Sequence, residues 1–79
     1  MMIKLKYHGV VSEIIGTEVE VLEVDSNSSV DSLCNMLNER WSKLSTVQYK
    51  VAINHSISNT NSILEDEDEV AILPPFSGG

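Results

Sequence analysis

The sequence holds a single cysteine, Cys34, so no internal disulfide can form and the fold must rest on packing, as suits a reducing cytosol. Long apolar runs are missing too. None approaches the roughly 20 residues that a membrane-spanning helix needs, and the opening MMIKLKY alternates where a secretory leader would be uniformly apolar. A cytoplasmic location without membrane contact is expected. Basic residues are scarce: 5 lysines and arginines stand against 12 acids, for a net charge of −7 over 79 residues. Such a surface repels nucleic-acid phosphates and fits either plain solubility or a basic partner. There is no GxGxxG, no P-loop and no GxSxG. His8 and His55 lie apart, with no further His or Cys at ligand spacing, so no metal site is expected. Cys34 sits between Val30 and Leu37 with no neighbour to lower its pKa; a buried, inert thiol is expected.

What is present reads as one small domain. In MIKLKY, Ile3, Leu5 and Tyr7 fall on one face and Lys4 and Lys6 on the other, the mark of a half-buried strand. HGVVSEIIG places Val10, Val11, Ile14 and Ile15 at helical spacing before a capping Gly16. TEVEVLEV is a second strand. Val19 and Val21 have one parity, Leu22 and Val24 the other, so a bulge or an ambiguous register is expected. Ser28 or Ser29 can cap the main helix, with Asp31 near its positive end. The stripe Val30, Leu33, Cys34, Leu37, Trp41, Leu44 predicts one long amphipathic helix. YKVAIN is a third strand, a short edge strand is expected near Ile57, and EVAIL is the last. The fold class is α+β: a mixed sheet of four to five strands packed against one long helix. Residues 1–73 form the domain and residues 74–79 a tail.

Two stretches remain. The acidic run Glu65–Glu69 lacks the spaced, glycine-containing loop of a calcium site and is expected to be a solvated turn. The tail, PPFSGG, is either a frayed end or a chemical handle. Pro74 cannot continue a strand ladder, and Pro74-Pro75 hold the base of the arm extended. Gly78 and Gly79, without Cβ atoms, can thread a narrow channel. The six residues beyond Leu73 span about 20 Å when extended, enough to enter a deep pocket. A terminal carboxylate, titrating near ~3.5, is a poor acyl donor until activated, for example as an acyl-adenylate. Leu73, facing outward, and Phe76, beyond the last core position, are candidate partner contacts.

The segment VAINHSISNTNSILEDEDEVAILPPFSGG closely resembles the C-terminal half of the MoaD family, the small subunits of molybdopterin synthase. Asn54, Asp68-Glu69-Val70, Pro74, Pro75, Ser77, Gly78 and Gly79 carry the likeness, with IKLKYHGVVSEIIGT supporting it at the other end. Glu67 departs from it, standing where many relatives have Gly. The resemblance implies a β-grasp, ubiquitin-like sulfur carrier. Gly79 would be adenylated by an E1-like (MoeB-like) enzyme using ATP, then converted by a sulfur donor to a thiocarboxylate. Pro74, Pro75, Phe76, Ser77 and Gly78 would lie in partner active sites. The implied partner is a MoaE-like large subunit, in a heterotetramer, where sulfur passes to a cyclic pyranopterin monophosphate. No cofactor would be bound by this chain itself. The alternatives are a carrier for another pathway such as thiamine thiazole, a ubiquitin-like protein modifier, or a binding module with an idle tail.

Overall fold

The computed structural model describes residues 1–75. The chain runs through β1 (Met2–Tyr7), α1 (Val10–Ile15), β2 (Val19–Glu23), α2 (Val30–Arg40), a 3-10 turn (Ser42–Thr46), β3 (Lys50–Ile53), β4 (Ser56–Ile57) and β5 (Glu69–Leu73). The strands form one sheet in the order β2-β1-β5-β3-β4. β1 and β5, the first and last strands, pair in parallel at its centre, while the other neighbours are antiparallel. The sheet is therefore mixed and five-stranded, as expected.

One face of the sheet carries the core. Ile3, Leu5 and Tyr7 of β1 and Val70 and Ile72 of β5 are buried, and so are Val11 of α1 and Val30, Leu33 and Leu37 of α2. α2 starts where the sequence signals it. Ser29 accepts from the Ser32 N–H at 3.1 Å, and the Ser32 hydroxyl accepts from the Ser29 N–H at 3.1 Å, so two helix-end donors are satisfied reciprocally. α1 ends at Gly16, with φ +91° and its N–H on the Ser12 carbonyl at 2.8 Å.

Four expectations need correction. α2 stops at Arg40: Trp41 is extended, and the chain re-enters as the 3-10 turn. Ser45 and Thr46 hydroxyls donate to the Ser42 and Lys43 carbonyls at 2.7 Å, giving the backbone a local alternative to further α-helix. Leu44 still reaches the core, but Trp41 is only half-buried, with the Arg40 guanidinium 4.1 Å above its ring. β2 keeps a regular register with β1 and has no bulge. Its inward positions are Glu20 and Leu22, and Glu20 accepts the Tyr7 hydroxyl at 2.7 Å while pairing with Arg40 at 3.1 Å. Val19 and Val21 are left 48 % and 60 % exposed. Val10 likewise faces outward, leaving Val11 as the buried residue of α1.

The acidic run is the fourth, in part: Glu65, Asp66 and Glu67 are exposed and the chain turns there as expected, but the run's end is not solvated. Asp68 is only 7 % exposed. Its carboxylate accepts from the Asn54 side-chain amide at 3.0 Å and the Glu65 N–H at 2.8 Å, and the Asn54 side-chain oxygen Oδ1 accepts from the Glu69 N–H at 3.0 Å. Asp66 accepts the Met2 N–H at 2.8 Å. The run is thus a hydrogen-bonded joint that sets the start of β5 beside β1 and β3. Glu67 takes φ +67° at its tip, where a Cβ is strained. Glu67→Gly should relieve that strain against a larger backbone entropy, raising stability by about 0.5–1 kcal/mol in urea unfolding. A lower midpoint would mean that the turn's hydrogen bonds depend on the side chain.

Candidate functional site

β5 delivers the chain to the site. Its last residue, Leu73, lies opposite Lys50 of β3, and pairing stops there, as the missing N–H of Pro74 requires. The neighbouring His8 N–H donates to the Ile72 carbonyl at 3.2 Å, so β1 holds β5 up to its final turn. Pro74 is half-buried and lies over Gly9, while Pro75 is exposed. The base of the tail is therefore seated on the β1–α1 turn. Phe76, Ser77, Gly78 and Gly79, the remaining tail positions singled out above, lie outside the described residues.

Beside this exit, the sheet face away from the helices is open. Lys6, His8, Ala52, His55, Ile57, Glu69, Ala71 and Leu73 line a shallow depression of about 340 Å³. Cross-strand registers explain the grouping: Lys6 pairs with Ala71, Ala71 with Ala52, and Ala52 with Ile57. Alanines at the centre leave the surface low, and Ile57 and Leu73 supply larger apolar side chains around it. Leu73 is half-buried on this face, in keeping with its outward parity. Glu69 ties the polar side together. It contacts Lys6 Nζ at 2.7 Å and His55 Nε2 at 3.3 Å, and the Lys6 hydrogen bond above all holds its carboxyl below the ordinary carboxylate range.

Cys34 is on α2 and half-buried, rather than fully buried as expected. Burial, more than any neighbour, pushes its thiol pKa up. At neutral pH it is the protonated, weakly nucleophilic form. Among the described residues no cluster of three or more His, Cys, Asp or Glu could hold a metal ion. No helix among them is long and apolar enough to cross a membrane. What the arrangement offers is an open, shallow face next to a seated tail base.

Sequence reasoning put Leu73 on the outward face but gave no sign of the depression. The alternation of MIKLKY did put Lys6 on the polar face; the alanines at 52 and 71 gave no signal until strand order brought them together. The family-like pair Asn54 and Asp68, distant in sequence, does meet, as a structural joint rather than at the tail.

The profile of the ThiS family matches residues 5–79. The molybdopterin synthase sulfur carrier subunit of Mycobacterium tuberculosis is 32% identical over 83 residues, covering 99% of this chain and 100% of that relative. Among solved structures, a Pyrococcus furiosus protein described as molybdopterin converting factor subunit 1 superposes with a TM-score of 0.88 at 21% identity, covering 96% of this chain and 99% of its own. A chain from the complex of subunits 1 and 2 of the molybdopterin-converting factor of Helicobacter pylori is 26% identical with a TM-score of 0.70, each chain covered in full. The architecture is thus the β-grasp of those proteins.

Proposed function

This chain belongs to the ThiS family, and from that premise we propose that it is the sulfur-carrier subunit of a molybdopterin synthase. The observation that carries the reading is end-to-end likeness to a relative bearing that name, 32% identical over 99% of this chain. The Helicobacter pylori complex supports a large-subunit partner.

In this reading the reacting centre is the carboxyl carbon of Gly79. An E1-like enzyme joins the carboxylate to the AMP portion of ATP, with release of pyrophosphate. A sulfur donor then displaces AMP, leaving a thiocarboxylate. The loaded tail, Pro74 to Gly79, enters the large subunit and gives its sulfur to a cyclic pyranopterin monophosphate, building the dithiolene. Two sulfurs are needed per product, so carriers must exchange between transfers, which favours a reversible interface. The folded body binds and presents; the partners supply the catalytic side chains and the nucleotide. The open face around Ala52, Ala71 and Leu73 adjoins the tail base, so one docking event can seat the body and insert the arm.

The test is intact-mass analysis after co-expression with the activating enzyme. The expected product carries one sulfur in place of one oxygen at Gly79. An unchanged mass with an active enzyme overturns the reading, and Gly79 joined to lysine side chains would make the chain a protein modifier. Cys34→Ser should load and transfer sulfur at the parent rate, since the thiol is protonated and takes no part; loss of transfer in a folded variant would move the sulfur to Cys34. Phe76→Ala should weaken large-subunit binding by roughly tenfold or more while changing unfolding stability by less than about 1 kcal/mol. Calorimetry and urea titration separate the two effects. A large stability loss with normal binding would place Phe76 in the core.

A further inference from the structure

Gly9 joins β1 to α1 with φ +56° and ψ −132°, a backbone conformation that residues with a Cβ rarely adopt. Both flanks hold it there. On one side the His8 N–H donates to the Ile72 carbonyl at 3.2 Å. On the other, the Gly9 carbonyl accepts from the Ser12 hydroxyl at 2.8 Å and the Glu13 N–H at 3.3 Å. Turning Gly9 to negative φ would break one set or the other. Its missing side chain is also occupied space. A Cβ built on Gly9 would stand 3.0 Å from Cγ and 3.5 Å from Cβ of Pro74. Gly16, at φ +91°, has nothing within 4 Å of the same position. Both glycines have positive φ, but Gly16 is left-handed helical while Gly9, at ψ −132°, lies in a region more nearly confined to glycine, and only Gly9 meets Pro74.

We propose that Gly9 is a positioning residue for the tail. By leaving room for the Pro74 ring on the β1–α1 turn, it fixes the point and direction from which the arm leaves the body. The inference rests on the sulfur-carrier reading, in which activation and transfer both require the arm to enter a partner's pocket. A methyl group at Gly9 displaces the ring, and with it the point from which the arm starts. Misplacing a reacting atom by about 1 Å can cost on the order of 100-fold in rate.

The experiment compares Gly9→Ala, Gly16→Ala, Pro74→Ala and the Gly9→Ala/Pro74→Ala double variant in the full chain. Melting temperature, NMR resonances of Pro74, and kcat/KM for transfer from thiocarboxylated protein to the large subunit are measured. Both glycine variants should melt at lower temperature, because both are strained. Only Gly9→Ala should shift the Pro74 resonances and lower kcat/KM, by roughly 10- to 100-fold. In the double variant transfer should return to the level of Pro74→Ala alone, while the melting temperature stays low. Equal transfer losses in Gly9→Ala and Gly16→Ala, or a double variant that transfers more slowly than Pro74→Ala, would overturn the proposal. If Gly9→Ala does not fold, Pro74→Ala decides: lower transfer at an unchanged melting temperature supports a seated ring, and unchanged transfer refutes it. A parent protein that accepts no sulfur counts against the carrier reading instead, and the Pro74 resonances of Gly9→Ala then judge the contact by themselves.

Discussion

Deleting Gly79 should abolish sulfur transfer and leave the folded body as stable as the parent. The two halves of this result have separate causes. Stability resides in a core that is complete by Ile72, which is fully buried on β5, and the ladder ends one residue later at Leu73. Transfer, in the proposed reading, depends on where the acyl carbon stands. Removing one residue shortens an extended arm by about 3.5 Å, comparable to the whole 3–3.5 Å approach of reacting atoms in a near-attack geometry. The shortened chain also moves Ser77 to the penultimate position, bringing a side chain into a channel suited to glycine. One residue added after Gly79 should be equally damaging, for the opposite displacement. The assay supplies chemically thiocarboxylated protein to the large subunit with the cyclic pterin and follows dithiolene formation, which bypasses the activating enzyme. Transfer at the parent rate by the deletion variant would show that the terminal carbon is not the reacting centre.

Leu37→Ala should be the most destabilising single substitution among those considered. Leu37 is fully buried in the last turn of α2, within the core cluster. Truncating such a leucine costs about 2–5 kcal/mol, as lost transfer energy plus the cavity left behind. A domain of this size has only about 4–12 kcal/mol in total, so the variant should lose much of its stability and populate unfolded chains near physiological temperature. Trp41→Ala should cost less, because Trp41 is half-buried and outside the helix. Urea unfolding, with amide NMR spectra for fold integrity, measures both. If Trp41→Ala proves the more damaging, the anchor of this layer is the 3-10 segment and not α2.

The parts of the fold that could be read from the sequence are those where one local signal has no competitor. β1 alternates cleanly, β5 is bounded by an acidic turn and a proline, and α2 begins at a serine cap. The helix end was not legible, because Trp41 and Leu44 keep helical spacing although the Ser- and Thr-rich chain between and after them bends into a tighter turn. Nor was the β2 register, since its inward polar position is justified only by Tyr7 and Arg40, partners from other elements. Asp68 looked like one acid among five until the turn after β3 brought Asn54 to it. For the candidate site, the tail was a local signal in the sequence, whereas the open face and the Gly9–Pro74 seat are products of strand order, which brings β1 and β5 side by side.

That central, parallel pairing of the first and last strands has a mechanical meaning. β5 is hydrogen-bonded along both sides, to β1 and to β3. Tension on the residues beyond Leu73 runs along the strand axis and loads the flanking bonds together, in shear, instead of peeling them one at a time. Forced unfolding is governed by the barrier to opening, and shear raises that barrier. If the chain works as the carrier proposed above, its arm can thus be drawn out of a partner's pocket without unravelling the body.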